Sequence, residues 1–278
     1  MTATPYSAPL WLRGGHAQTI WPLLRKGPLP AYRRQRWDTP DGDFIDLDWI
    51  AAPPRQPLVV LFHGLEGDSG SHYARALMAT CRQAGWGGVT VHFRGCSGEP
   101  NRLPRAYHSG DSAEIDWILR RLQAGQTPGD PLLVVGGSLG ANALLKWLGE
   151  QGEAAAFVTA AAAVSAPLDL AAANQALSSG LNLIYARHFL ATLVPSALAK
   201  LDRAPGLFDA GRVKAARSLK DFDDAVTAPL HGFRDAADYY AHSSARSFLG
   251  GIRVPTLLLN ARNDPFLPAT ALPDPAVL

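Results

Sequence analysis

The sequence predicts an α/β protein, a mostly parallel twisted sheet with helices on both faces, on three observations. Short strands are read at Leu58–Phe62, a continuous apolar run, and at Gly88–Phe93, Leu132–Val135 and Val254–Asn260. Segments with helical spacing alternate with them at His72–Ala84, Asp111–Leu122 and Leu139–Leu148. Glycines and a proline punctuate several junctions, among them Pro57, Gly64, Gly85 and Gly136-Gly137. Runs that are apolar throughout suit strands buried on both faces, and strand–helix alternation suits a parallel sheet with helices covering it.

Taken in order, residues 1–40 are rich in Trp, Pro and Arg, show no clear period, and read as an arm over the domain edge. Asp43–Ile50 alternates polar and apolar residues after the Asp41-Gly42 turn signal, the pattern of a half-buried strand. Leu58–Phe62 is the first fully buried strand. The helix from His72 places Tyr73, Ala76, Leu77, Thr80 and Cys81 at helical spacing, and Gly85 ends it. The helix from Asp111 sets Ile115, Ile118, Leu119 and Leu122 on one face, with carboxylates near its start, where the helix dipole favours them. A strand over Ala155–Val164 follows the third helix. Residues 168–247 then break the rhythm: they are mostly helical, with Pro and Gly interruptions, and read as a cap over the carboxyl edge of the sheet. Residues 1–278 together read as a single domain.

The composition excludes several classes. Hydrophobic residues make up 47% and charged residues 18%, the balance of a soluble globular protein with a large core. A net charge of +2, with dispersed charges, is no nucleic-acid footprint. The N-terminus lacks a secretory pattern, and the apolar stretch from Ala154 to Pro167 is too short for a transmembrane segment. Two cysteines, Cys81 and Cys96, give no disulfide framework, so a reducing, cytoplasmic setting is expected. No metal-ligand spacing and no cofactor motif occurs. Nothing in the sequence fixes the oligomeric state.

The chemistry centres on Gly136-Gly137-Ser138-Leu139-Gly140, a G-x-S-x-G pattern. It follows the strand Leu132–Val135 directly and opens the helix at Leu139, the setting of a nucleophile elbow in the α/β-hydrolase fold. A phosphate cradle also needs a Gly-rich turn here, but neither G-x-x-x-x-G-K-[ST] nor G-x-G-x-x-G is present. His63-Gly64-Leu65-Glu66-Gly67 follows the strand ending at Phe62, where this fold places one oxyanion-hole loop. The donors expected are the backbone N–H groups of Leu65 and Leu139, and His63 is read as bracing the loop. Asn263-Asp264-Pro265 follows the last strand, and an acid after the nucleophile fits the Ser…Asp/Glu…His order, although a turn residue before proline fits as well.

These motifs reach a known family. The chain resembles the YheT-like α/β-hydrolases, the group that includes the embryogenesis-associated and abhydrolase proteins. The matching segments include Gly15-His16-Ala17-Gln18-Thr19, Asp41-Gly42-Asp43-Phe44 and His63–Gly67. Phe93-Arg94-Gly95-Cys96-Ser97-Gly98-Glu99-Pro100, Tyr107-His108-Ser109-Gly110-Asp111, Gly137–Gly140 and Asn263–Phe266 continue the match along nearly the whole chain. Ala141 departs from it, standing where a second glycine is usual. The resemblance implies a carboxylesterase or lipase-like enzyme with a Ser-Asp-His triad, in which Ser138 is the nucleophile and Asp264 the acid.

It also implies a base that this sequence does not hold after the acid. Family members continue past the acid to a strand and a Gly-Gly-His segment, whereas no histidine follows Asp264 here. All eight histidines lie upstream. His16 and His108 sit in motifs away from the triad, while His188, His231 and His242 belong to the cap. The expectation is therefore a chain shortened relative to the family, lacking its last strand and helix, with the strand at Val254–Asn260 left as an apolar edge. Two functions follow. The first is hydrolysis of a small-molecule or lipid ester through an acyl-enzyme on Ser138, with an alcohol acceptor as a variant. The second is a binding or remnant protein that keeps the pocket and cannot turn over. The Leu- and Ala-rich stretch from Leu181 to Leu201 suits an apolar acyl pocket and equally suits cap packing.

Overall fold

A computed structural model describes residues 7–51 and 53–273. Seven strands form one sheet: β1 (Arg33–Asp38), β2 (Phe44–Ile50), β3 (Leu58–Phe62), β4 (Gly87–Val91), β5 (Leu132–Gly137), β6 (Ala160–Val164) and β7 (Thr256–Leu259). Their spatial order is β1-β2-β4-β3-β5-β6-β7. Strands β3 to β7 pair in parallel, and β1 and β2 run antiparallel at one edge.

Every residue of β3 and β4 is buried: β3 is apolar throughout, and β4 buries Thr90 along with its glycines and valines. Helices α1 (Gly15–Leu24), α2 (His72–Gln83), α3 (Ser112–Ala124) and α4 (Leu139–Gln151) complete the first part of the chain. On one face, Val60, Val89 and Val134 of the sheet share a core with Ile115 and Leu119 of α3 and Leu144 and Trp147 of α4. On the other, Met78 and Cys81 of α2 pack with Val59 and Leu61.

Between β6 and β7 the chain leaves the sheet for α5 (Leu170–Leu177), α6 (Leu183–Arg203), α7 (Ala210–Ala215), α8 (Leu219–Phe222), α9 (Ala228–His231) and α10 (Ala236–Ser243). These helices have their own core, in which Leu190, Val213 and Phe222 are buried. Among the described residues, no helix is long and apolar enough to cross a membrane.

Three local expectations change. Residues 1–40 hold regular structure, the helix α1 and the edge strand β1. The sequence Arg33-Arg34-Gln35-Arg36 hides the strand because its arginines are matched across the ladder, Arg34 opposite Asp48 and Arg36 opposite Asp46. Strand β2 is buried on both faces, not one: Asp46 is 1% and Asp48 3% exposed. Its polar face is covered by those arginines and by His92, whose Nε2 lies 2.9 Å from Asp48 Oδ2. Finally, β6 begins only at Ala160, because Gly152–Ala155 forms a 3-10 turn at the end of α4.

Candidate active site

The C-terminal ends of the parallel strands gather the sequence-identified residues. Ser138 stands at the β5–α4 junction with φ 50° and ψ −117°, a conformation that costs a non-glycine residue about 1–3 kcal/mol. The surroundings hold it there. Its N–H donates to Val164 O at 2.9 Å, and its carbonyl accepts from Ala141 N and Asn142 N, so the strained residue also starts the helix.

The loop after β3 is fixed against this turn at three points. His63 is fully buried, and its Nε2 accepts from Phe93 N at 3.1 Å. The proton therefore sits on Nδ1, which donates to Gly64 O at 2.7 Å. Gly64 N donates to the Tyr73 hydroxyl, and Glu66 N to the Tyr107 hydroxyl, each at 2.8 Å. Tyr107 returns the contact by donating to Glu66 Oε1, which clamps Glu66 at φ 53°. Leu65 lies between these anchored amides, and among the described residues its N–H meets no protein acceptor. Leu139 is the first residue of α4, so its N–H has no carbonyl one turn behind it. Leu65 and Leu139 line the same cavity as Ser138.

Burial pushes His63 down to about 4 from an ordinary 6.5, so the ring stays neutral as a brace must. The unfolded chain takes up the proton first, so the stability owed to neutral His63 is full above pH 6.5 and is lost as pH falls towards 4. The loss is ~3 kcal/mol. In urea unfolding, wild type is expected to lose that much more than His63→Asn between pH 7 and pH 4. Equal losses would remove the bracing role.

Ser138, Leu139 and Leu65 open on a cavity of about 720 Å³. Its far walls are apolar and come from the helices between β6 and β7, with Leu177, Phe189, Leu193 and Phe222 among them. One wall is polar. His108 and His231 face each other with ring centroids 4.4 Å apart, and burial depresses both, His231 to about 3. His108 therefore belongs to the cavity and not to a distant motif. His231 joins it there, while His188 and His242 are exposed. Asp223, pushed up to about 6 by burial, accepts from Tyr240, which in turn accepts from Asn174. Lys200 of α6 ties the helical segment to the loop between β4 and α3 through Asn101 Oδ1, Leu103 O and Arg105 O, and burial lowers it to about 8.

Asp264 follows β7. Its Oδ1 accepts from Phe266 N at 2.8 Å, and burial raises its carboxyl above the usual range. Phe266 lines the cavity; Asp264 does not. Among the described residues, no histidine is hydrogen-bonded to Ser138 or to Asp264, and no group of three or more His, Cys, Asp or Glu could hold a metal ion. The Tyr73 and Tyr107 clamps were not legible in the sequence: Tyr107 stands in a matched segment, but nothing local shows that its hydroxyl reaches Glu66 N, 41 residues away.

Comparison with known proteins gives a consistent picture. The family described as alpha/beta hydrolase fold matches residues 57–277. YheT of Escherichia coli (strain K12), named as a candidate esterase, is 42% identical over 270 residues, covering 95% of this chain and 78% of its own length. Phospholipase ABHD3 of Mus musculus is 29% identical over 96% of this chain and 67% of its own length. The embryogenesis-associated protein EMB8 of Picea glauca is 27% identical over 97% of this chain and 62% of its own length. Among solved structures, the Pyrococcus furiosus esterase PF2001 superposes with a TM-score of 0.52 at 14% identity, over 86% of this chain and 73% of that one, a likeness of fold.

Proposed function

The chain belongs to the α/β-hydrolase family, in its YheT-like branch, and from that premise we propose that it is a serine hydrolase acting on carboxylic esters. The observation that carries the reading is Ser138, held at positive φ in the lining of a largely apolar cavity that Leu65 and Leu139 line with it. In the proposed reaction, Ser138 Oγ attacks the ester carbonyl. The tetrahedral oxyanion accepts from the Leu65 and Leu139 amides, each worth about 3 kcal/mol of barrier when aimed at the developing charge. The alcohol leaves with a proton, and water then releases the acid from the acyl-enzyme. Asp264 is the acid partner, with its Oδ2 left to orient an imidazole. None of the eight histidines of the sequence is assigned the part of that imidazole.

Helices α5 to α10 act as a cap in this reading. Their apolar side chains suit an acyl chain, whether of a small or a lipid ester, and the polar wall at His108 and His231 suits the more polar end of the substrate. A second reading, ligand binding without turnover, is favoured by the lack of any imidazole bonded to Ser138 or Asp264 among the described residues.

Labelling with a fluorophosphonate separates the two, because covalent capture needs an activated serine. The expected result is one adduct per chain, mapped to Ser138 by peptide mass spectrometry and absent from Ser138→Ala. A folded protein that stays unlabelled would leave only the binding reading.

A further inference from the structure

Helix α1 is folded with its polar side inward. The His16 ring lies with Nδ1 3.1 Å from the Tyr185 hydroxyl, Gln18 donates to Leu12 O at 2.7 Å, and Asn263 reaches Gln18 Oε1 at 3.4 Å. Gly15 is packed so closely on the loop before Asp264 that a Cβ would stand 2.1 Å from Asn263 O. The large apolar residues are left to solvent. Ile20 is 42%, Leu23 48% and Leu24 71% exposed, and no residue of the helix is buried. Just ahead of it Trp11, 65% exposed, packs edge-on against Trp21. A helix kept for its own burial would carry the opposite pattern.

Across the same loop, the start of α6 repeats the arrangement. Leu181 and Ile184 are 67% and 62% exposed, while Asn182 donates to Pro265 O and Tyr185 is held by His16. Single exposed leucines need no explanation, but two neighbouring segments pinned to one loop and both turned apolar side outward form a patch.

The segments that form the patch, residues 7–27 and 181–189, contain Arg13, Arg25, Lys26 and Arg187 and no carboxylate, and Asp264, in the loop between them, is half-buried. Among the described residues, Arg13, Arg25, Lys26 and Arg187 make no salt bridge. Arg25 instead lies over the Trp21 ring, 5.5 Å from its centroid. Exposed Trp and Leu rimmed by unpaired cations are the composition that seats a helix in the headgroup region of an anionic bilayer. A second copy of the chain would bring like charges together across a symmetric contact.

We propose that the face formed by α1 and the start of α6 docks this protein on an anionic lipid surface. The patch flanks the loop that carries Phe266, a residue of the cavity wall, so a docked molecule holds its cavity beside the lipid. Docking does not depend on the chain being a hydrolase; only delivery of an ester from the lipid rests on that reading.

The test is co-sedimentation of the whole chain with vesicles of phosphatidylcholine alone or mixed with phosphatidylglycerol. Binding is expected to the mixed vesicles, to fall with added salt, and to be about tenfold or more weaker to phosphatidylcholine. Ile20→Ser/Leu24→Ser and Arg25→Glu/Lys26→Glu should each weaken binding by about tenfold or more, with circular dichroism and Tm unchanged, since all four side chains are solvent-exposed. Equal binding to both vesicles, or variants that bind as wild type does, would overturn the proposal. So would a dimer in sedimentation that Ile20→Ser/Leu24→Ser dissociates, together with no vesicle binding. None of these readouts requires Ser138 to react, so failure of the hydrolase reading leaves the result interpretable.

Discussion

Arg94→Met is expected to destabilise the protein by about 3–5 kcal/mol, the cost of stranding buried carboxylates by removing their one shared cation. Arg94 is 5% exposed and lies at the end of β4. Its Nε donates to Glu114 Oε2 at 2.7 Å, and its Nη1 to Asp41 Oδ2 at 2.8 Å and to Asp43 Oδ2 at 3.2 Å. Asp43 is fully buried but retains donors from Phe44 N, Arg102 N and Asn101 Nδ2, which hold its carboxyl below the usual range against the cost of burial. Glu114 is the exposed weakness of the arrangement. Burial raises its carboxyl to about 7 even with Arg94 present, and its remaining cation, Arg105, is 3.4 Å away. Without Arg94 it should take up a proton, which absorbs part of the loss.

A urea titration of Arg94→Met, read beside Arg94→Met/Glu114→Gln, checks this account. The second change should recover part of the loss at pH 8, where Glu114 is costliest to ionise, and little at pH 5, where it is already protonated. A loss below about 1 kcal/mol at both pH values, the range of a surface ion pair, would mean that water reaches the site and that the network contributes little. The consequence extends to the cavity, because Arg94, Cys96 and Asn101 all line it and Lys200 grips Asn101 from the far side. Losing Arg94 should therefore loosen this part of the cavity wall before the sheet itself opens.

The parallel part of the sheet was legible in the sequence because its determinants are local. Leu58–Phe62 and Leu132–Val135 are apolar without interruption, and the helices between strands have a clear period. The glycines of the Ser138 turn could be read for the same reason, since a tight strand–helix junction imposes its needs on adjacent residues. The antiparallel edge was not legible. In β1 the informative partner of Arg34 is Asp48, fourteen residues on, and in β2 alternation was read as core against solvent when both faces are covered. Polar pairing across a ladder leaves no hydrophobic period to detect. The two tyrosines that clamp the Leu65 loop escaped for a related reason: each acts through a hydroxyl on a distant backbone amide, and tyrosine in a sequence looks like any large core residue. Helix α1 escaped because Pro22 stands inside it, where a proline reads as a helix breaker.

Gly140→Ala should destabilise the fold by about 3 kcal/mol or more, although the helix propensity of alanine alone would favour it by about 1 kcal/mol. Gly140 lies in the first turn of α4, where a Cβ would stand 2.4 Å from both Phe62 O and His63 O. Those oxygens belong to the end of the central strand β3 and the brace beside it, and neither can retreat as a flexible side chain would. The helix must move outward, and Ser138, which shares its first turn, must move with it. Gly64→Ala makes the informative contrast. There the new Cβ would meet Ser138 Cβ at 3.1 Å, a contact relieved by a few tenths of an ångström. Its stability should change by less than about 1.5 kcal/mol, while the rate of fluorophosphonate labelling falls about tenfold, because the serine and the Leu65 amide are pushed apart. Thermal unfolding and labelling rate, measured on both variants, thus separate what the glycines do for the fold from what they do for the site. If Gly64→Ala labelled at the wild-type rate, the Leu65 loop would not be positioned against Ser138 tightly enough to supply an oxyanion donor. If Gly140→Ala were as stable as wild type, the close approach of α4 to β3, which sets the whole turn, would be looser than the geometry requires.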